Sequence, residues 1–462
     1  MAAGATTLLD QAVLNIAIPS MRHSLGAGVA DVQWIVAGYS LAFGLALVPG
    51  GSLGDLHGRK RLFLVGVTVF LLAGVAAATG GGPGTVIGAR LVQGAAAGLV
   101  NSQVIGTIQD VFHGLDRGRA LGLYAVTSGV ATALGPPLGG ALVAGLGPGV
   151  GWRYCLLLSA PCAVITLALA ARWLPPPRRT ARDSRLDPLG LALACGCTLT
   201  LMVPFIRTPD SGGEALLWAA GVCALVGVFT VQRRGRAPLV HPALRSSKPY
   251  MLGTAVAMAQ FGSSLAASLV LTVFLQDGLG LSALLTAAIA LPSALAMGVS
   301  SALAWRLVRR IGPRTVSVGL TLGICAALAG AVAALCVPDA GLPLAFATTQ
   351  LLSGAAGGLA VSPNQTQVLQ HAPAEAAGVG GGILQMAQRI AAAVCLSAVS
   401  AVYLHAATGS PRTAYALASC VCAGLLAVAL VLSRLRRPAA SPRLSTPASH
   451  GGRQEAGQAG QP

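Results

Sequence analysis

Apolar runs and polar breaks alternate along this chain with one repeating unit, a stretch of about 20 mostly apolar residues, long enough for a helix to cross a bilayer, followed by a short loop. Six such stretches fall near 3–20, 33–54, 62–80, 85–108, 119–143 and 152–173. A hydrophilic segment at 175–187 interrupts, and two more stretches lie near 188–206 and 215–232. A basic connection at 233–248 leads to a final six near 250–275, 283–304, 315–337, 342–369, 377–403 and 413–433. The pattern predicts an all-α polytopic membrane protein of about fourteen transmembrane helices. Its expected parts are an N-terminal six-helix half (1–173), a central linker with two extra helices (174–249), a C-terminal six-helix half (250–437) and a tail (438–462). The tail is rich in Pro, Ser, Gly and Gln, has no apolar period and is expected to be disordered.

Composition supports lipid as the solvent. Of 462 residues 54% are apolar and 9% charged, against roughly 25% charged in soluble domains. The formal charge of +17 does not mark a nucleic-acid surface, because the basic residues form small groups between long uncharged stretches. Those groups are unevenly placed. Arg59, Lys60 and Arg61, Arg117 and Arg119, the arginines of 172–185, the basic residues of 233–248, those of 306–314 and those of the tail all fall on one side of the topology. The other side holds only Arg22, Arg153, Arg207 and Arg412. The positive-inside rule assigns the first side, and both termini, to the cytoplasm, and requires an even number of spans.

Trp34, Trp152, Trp173, Trp218 and Trp305 fall at predicted span ends, where indole rings are expected to anchor at the membrane interface. The ten Cys lie in apolar runs without a matching set of His ligands, so we read them as small core residues and expect no disulfide, metal or cofactor. The apolar N-terminus has no basic leader and no cleavage site before a soluble domain, so the first span is expected to stay in the membrane.

Embedded charges carry the candidate chemistry. Among the acidic residues Asp10 alone lies well inside a predicted span, midway along a first helix barely long enough to cross. A carboxylate there costs roughly 2.5–3.5 kcal/mol on insertion scales and usually marks an ion or proton pathway. The alternative is an Asp that pairs with a neighbour to pack helices. Arg90, in the outer third of span four, and Arg389, near the middle of span thirteen, are embedded too and should face the bundle. Arg90 sits at a depth comparable to Asp10 and could oppose the effect of burial on it. Span five carries Gly135-Pro-Pro-Leu-Gly-Gly140, which would kink a helix and allow close backbone approach. The loop after span two, Gly54-Asp-Leu-His-Gly-Arg-Lys-Arg61, has a weak counterpart after span ten, Arg306-Leu-Val-Arg-Arg-Ile-Gly-Pro-Arg314, consistent with two related halves. A membrane enzyme finds no support: there is no embedded His pair, HExxH, GxSxG or phosphate loop.

Six ordered motifs, from Leu9-Asp-Gln-Ala-Val-Leu-Asn-Ile-Ala-Ile-Pro19 through Gln33-Trp34 with Tyr39, Gly51-Ser-Leu-Gly-Asp-Leu-His-Gly-Arg-Lys60, Arg90-Leu-Val-Gln-Gly94 and Gly135 to Gly140, to Gly151-Trp-Arg153, give the chain its resemblance. It resembles the fourteen-span drug:proton antiporters of the major facilitator superfamily (EmrB/QacA type) from Leu9 to about Leu435. The resemblance implies that Asp10 is the membrane-embedded acid of the first helix. It makes Gly51, Asp55, Gly58, Arg59 and Lys60 the gating loop, and Arg90, Gln93 and Gly94 the fourth-helix motif linked to proton transfer. Gly135, Pro136, Gly139 and Gly140 match the motif associated with antiporters. Leu56, Ala131 and Trp305 depart from the pattern, which implies a weaker second gate. Relatives have a basic tail and further apolar residues before the first motif, so we expect the natural start to lie upstream of Met1.

The function so implied is proton-coupled efflux of small amphipathic, drug-like compounds across the cytoplasmic membrane by alternating access, with protons and the bilayer as the other partners and a monomer as the expected unit. A transporter-derived sensor is the competing class; it predicts no directional flux. With no family-typical acid inside spans seven to fourteen, the expected substrates are neutral or monocationic and held by apolar surface.

Overall fold

The computed structural model describes residues 2–112, 114–174, 242–372 and 377–435, with isolated positions at 223, 226 and 230. The expected central pair (188–206 and 215–232) and the tail (438–462) lie outside the described residues. The first half contains α1 (Ala2–Leu25), α2 (Val29–His57), α3 (Arg59–Thr79), α4 (Pro83–Val111), α5 (Gly114–Leu146), and a sixth span in two pieces, α6 (Gly151–Leu157) and α7 (Ser159–Trp173). After a short α8 (Pro242–Ser246), the second half contains α9 (Lys248–Val273), which continues through a π turn at Phe274–Gly278, then α10 (Ala283–Ile311), α11 (Arg314–Cys336), α12 (Leu342–Gln370), α13 (Ala377–Ala406) and α14 (Pro411–Leu435). Nine of these spans among the described residues are long and apolar enough to cross a membrane by length and composition alone.

Expected and observed spans agree within a few residues, with one correction. The first helix has 24 residues, about 36 Å at 1.5 Å per residue, and is ample for a crossing, because polar residues on its bundle-facing side do not end it. The Gly/Pro motif of span five lies within one continuous helix: α5 runs through Pro136 and Pro137. Chain reversals fall where glycine is required. Gly58 adopts φ +92° between α2 and α3, a conformation that other residues take only with strain.

Large apolar side chains face outward, among them Leu72, Val299 and Leu344, each more than 60% exposed, as a lipid-solvated surface requires. With lipid outside, helices associate through close packing of small residues. Gly94 and Gly98 of α4 press on the Tyr39 and Phe43 carbonyls of α2. Gly354 and Gly358 of α12 press in the same way on Ser293 and Met297 of α10. The halves therefore repeat one arrangement: α1 on α5, α2 on α4 and α3 on α4 are matched by α9 on α13, α10 on α12 and α11 on α12.

Two seams join the halves, α2 against α13 and α5 against α10, and they too exchange under the pseudo-twofold relation. The basic residues Arg59 to Arg61, Arg245, Lys248, Arg306 to Arg314 and Arg434 gather at one end of the bundle, called here the basic end. At the opposite end the halves are tied together: Gln33 Nε2 donates to Ser397 O (3.5 Å) across the α2–α13 seam, and between α1 and the π turn after α9 Gln276 Nε2 donates to Ile16 O (3.2 Å) and Arg22 Nη1 to Asp277 Oδ2 (3.2 Å). Midway, Gly44 of α2 meets Arg389 of α13. Seven residues nearer the basic end on the same helix faces, Gly51 and Gly382 have nothing among the described residues within 4 Å of where a side chain would stand. The α2 and α13 faces part toward the basic end.

Two expectations about individual residue types need revision. Trp152 is fully buried, with the Arg153 guanidinium carbon 4.5 Å from its ring centroid. Gly151 lets this end of the span pack directly on the Val143 backbone, so the ring is enclosed instead of anchored at an interface; Trp173 and Trp305 are exposed as expected. Of the cysteines, Cys155 and Cys422 are buried, whereas Cys223, Cys325, Cys336 and Cys420 are exposed. A thiol behaves as a small apolar group and is at home on a lipid-facing surface as well as in a core.

Candidate functional site

Asp10 and Arg90 meet in the interior of the first half. Arg90 Nη1 donates to Asp10 Oδ2 at 2.6 Å and to Gln93 Oε1 at 2.7 Å; Gln93 Nε2 donates to Asp10 Oδ1 at 3.0 Å, and Ser159 Oγ to the same oxygen at 3.1 Å. All of these side chains are buried. The Arg90 guanidinium also lies 4.1 Å from the Tyr39 ring centroid, a cation–π contact that gains strength away from water. One turn of α4 presents Arg90 and Gln93 on a single face, and Gly94 lets that face approach α2. The carboxylate therefore accepts from three side chains, one of which is a full countercharge. Sequence reasoning missed Ser159, which begins α7 just after the break in the sixth span.

A second embedded cation lies across the seam. Arg389 Nη1 donates to Gln11 Oε1 at 2.6 Å, and its guanidinium carbon is 4.2 Å from the Phe43 ring centroid and 5.0 Å from that of Phe261. Gln11 follows Asp10 on α1, and its amide nitrogen reaches Ser40 Oγ at 3.4 Å.

At the gating loop, Arg59 Nε pairs with Asp110 Oδ2 at 2.6 Å, and Lys60 Nζ donates to Leu174 O at 2.8 Å. Asp110, in the last turn of α4, was not anticipated; an acid at the basic end of span four, opposite a basic helix start, was the available signal. The Asp55 side chain lies outside the described residues. Gly106 leaves room for the Arg59 guanidinium, which a Cβ there would strike. The Arg59–Asp110 pair is partly exposed, so Asp110→Asn is expected to lower stability by less than about 1 kcal/mol, as read from the thermal melt in detergent; a larger loss would mean the pair is structural.

The antiporter-type motif lies on both a helix packing and a seam. Gly135 and Gly139 of α5 pack on Ala12 and Val13 of α1, and Gly140 packs on α10, where an added Cβ would stand 2.8 Å from Ala287 Cβ and 2.9 Å from Ala283 O. Pro136 between them is half-buried.

Two like-packed helical halves with an apolar outer surface and a buried carboxylate–guanidinium pair between helices are the architecture of a polytopic membrane protein. Residues 1–396 and 252–457 match the sequence profile of the Major Facilitator Superfamily, and the chain belongs to that family. It is 34% identical to the puromycin resistance protein pur8 of Streptomyces alboniger over 87% of this chain and 80% of that protein. It is 31% identical to the cephamycin export protein CmcT of Amycolatopsis lactamdurans over 87% of this chain and 84% of that one. In fold it is similar to a bacterial homologue of the human lysosomal transporter Spinster, with TM-score 0.65 at 14% identity over 94% of both chains. The protein is thus a transporter of small molecules and not an enzyme.

Proposed function

We propose that this transporter is a fourteen-span drug:proton antiporter that expels amphipathic, antibiotic-like compounds, with Asp10 as its proton site. The observation that carries this reading is the buried Asp10, held by Arg90, Gln93 and Ser159. Protonation removes the charge that these donors hold, and the loss is felt at once by α4 and α7. An embedded acid whose state alters helix–helix contacts can bias an equilibrium between inward-open and outward-open forms. The positive-inside rule puts the basic end in the cytoplasm, which makes the parted seam an inward-facing opening. In that setting Gly51, Asp55, Gly58, Arg59 and Lys60 form a cytoplasmic latch that re-forms on rocking, and Gly135, Pro136, Gly139 and Gly140 hold the outer side shut. The direction of transport rests on relatives whose names describe resistance or export. A gradient must supply the energy, and one charge moved through 100 mV is worth about 2.3 kcal/mol.

The test is collapse of a preformed pH gradient in inverted membrane vesicles on adding a panel of lipophilic antibiotics and dyes. Collapse that requires this protein and proceeds without ATP is the expected result. Transport that strictly requires ATP, or that runs only toward the cytoplasm, would overturn the reading.

A further inference from the structure

We infer that Arg389 recognises an acidic group on the transported compound, so that substrates carry a carboxylate or an ionised phenol or enol next to an apolar ring system. This rests on the efflux reading above and narrows its substrate class, away from the monocations that the lack of acids in the second half suggested. A charge count at mid-bundle gives the reason. Asp10 and Arg90 neutralise each other at 2.6 Å. Arg389 is only 7% exposed, and among the described residues no carboxylate oxygen lies within salt-bridge distance of it. Among the described residues its one hydrogen-bond partner is the neutral Gln11 amide oxygen.

A guanidinium withdrawn from water without a countercharge is costly, and it presents several N–H donors in a planar fork suited to a carboxylate. A cationic ligand at the same place would add repulsion to that cost. The surroundings fit an amphipathic anion. Phe43 and Phe261 flank the guanidinium at 4.2 and 5.0 Å, fixing its plane and offering apolar walls to a ring system. Position fits as well: Arg389 comes from the second half, and its contacts with Gln11 and Phe43 are with the first. On the side where α2 and α13 part, Gly51 and Gly382 leave open space, so the guanidinium lies at the head of the opening.

Two xanthene dyes of similar size and opposite charge, anionic fluorescein and cationic rhodamine 6G, provide the test, read as fluorescence polarisation with purified full-length protein in detergent. Native protein is expected to bind fluorescein at least about tenfold more tightly than rhodamine 6G. Arg389→Gln should lose about tenfold or more of the fluorescein affinity, the scale of a charged hydrogen bond, and leave rhodamine 6G binding unchanged or stronger. Arg389→Lys, which keeps the charge without the fork, should fall between. Preference for the cation, binding of neither dye, or equal loss of both dyes in Arg389→Gln would overturn the inference, the last result assigning Arg389 to packing alone. Binding is measured without any ion gradient, so failure here leaves proton-coupled efflux to be judged by the vesicle experiment.

Discussion

Asp10→Asn is expected to abolish accumulation driven by the pH gradient while sparing exchange of substrate for substrate. Asparagine keeps the size of the side chain and one oxygen able to accept from Arg90 or Ser159, which lie 2.6 and 3.1 Å from the carboxylate. It cannot release or take a proton, so the site is fixed in its neutral form. One proton moved down a gradient worth 100 mV releases about 2.3 kcal/mol, close to four times RT, which corresponds to a concentration ratio of about 50-fold. In reconstituted vesicles the variant should show no gradient, whereas counterflow, which needs no net proton movement, should continue. The substitution also leaves Arg90 without its countercharge, and breaking a buried pair typically costs about 3–5 kcal/mol. A lower melting temperature is therefore expected, partly restored in Asp10→Asn/Arg90→Gln, which should remain uncoupled. Gradient-driven accumulation that survives in the single variant would move the proton site elsewhere.

The sequence made the spans legible because lipid imposes a length and a composition on each of them, and both can be read one residue at a time. The embedded charges were legible for the same reason: Asp10, Arg90 and Arg389 stand out against apolar neighbours. What they touch was not. The Asp10–Arg90 pair spans 80 residues and the Arg389–Gln11 pair 378, and each depends on how helices rotate and cross, which small residues such as Gly44 and Gly94 decide through close approach. The competing reading of Asp10, an acid paired to pack helices, describes its geometry correctly, and the pair is also what a proton site needs. Ser159 carried no signal because a Ser at the start of a membrane helix is ordinary; only the fold brings its hydroxyl to the carboxylate. Trp152 and the exposed cysteines misled because residue type records a preference for an environment, while neighbouring packing, here Gly151 against Val143, decides which environment is available.

Gly140→Val tests the seam that holds the bundle shut at the end away from the basic face. A side chain at Gly140 would begin 2.8 Å from Ala287 Cβ and 2.9 Å from Ala283 O, with Leu284 Cα at 3.3 Å; two of these three atoms are backbone, which cannot rotate aside. The helices α5 and α10 must then separate, and overpacking of this kind costs about 1–3 kcal/mol. That cost falls on the form in which the seam is closed and is relieved when the halves open there. At 1.4 kcal/mol per tenfold, the equilibrium should move by about 5- to 150-fold toward the form open at this end. Gln33 lies at the same end of the bundle, in a crevice lined by α1, α2, α9 and α13, and is fully buried beside Ser397. A cysteine introduced there should react with an impermeant maleimide much faster in Gly140→Val than in the parent, and transport should fall in step. Gly145→Val is the control, because a Cβ at Gly145 meets open space, and it should behave as the parent does. If both substitutions change labelling equally, the effect arises from valine in α5 generally, and Gly140 is not the point on which closure of the seam depends.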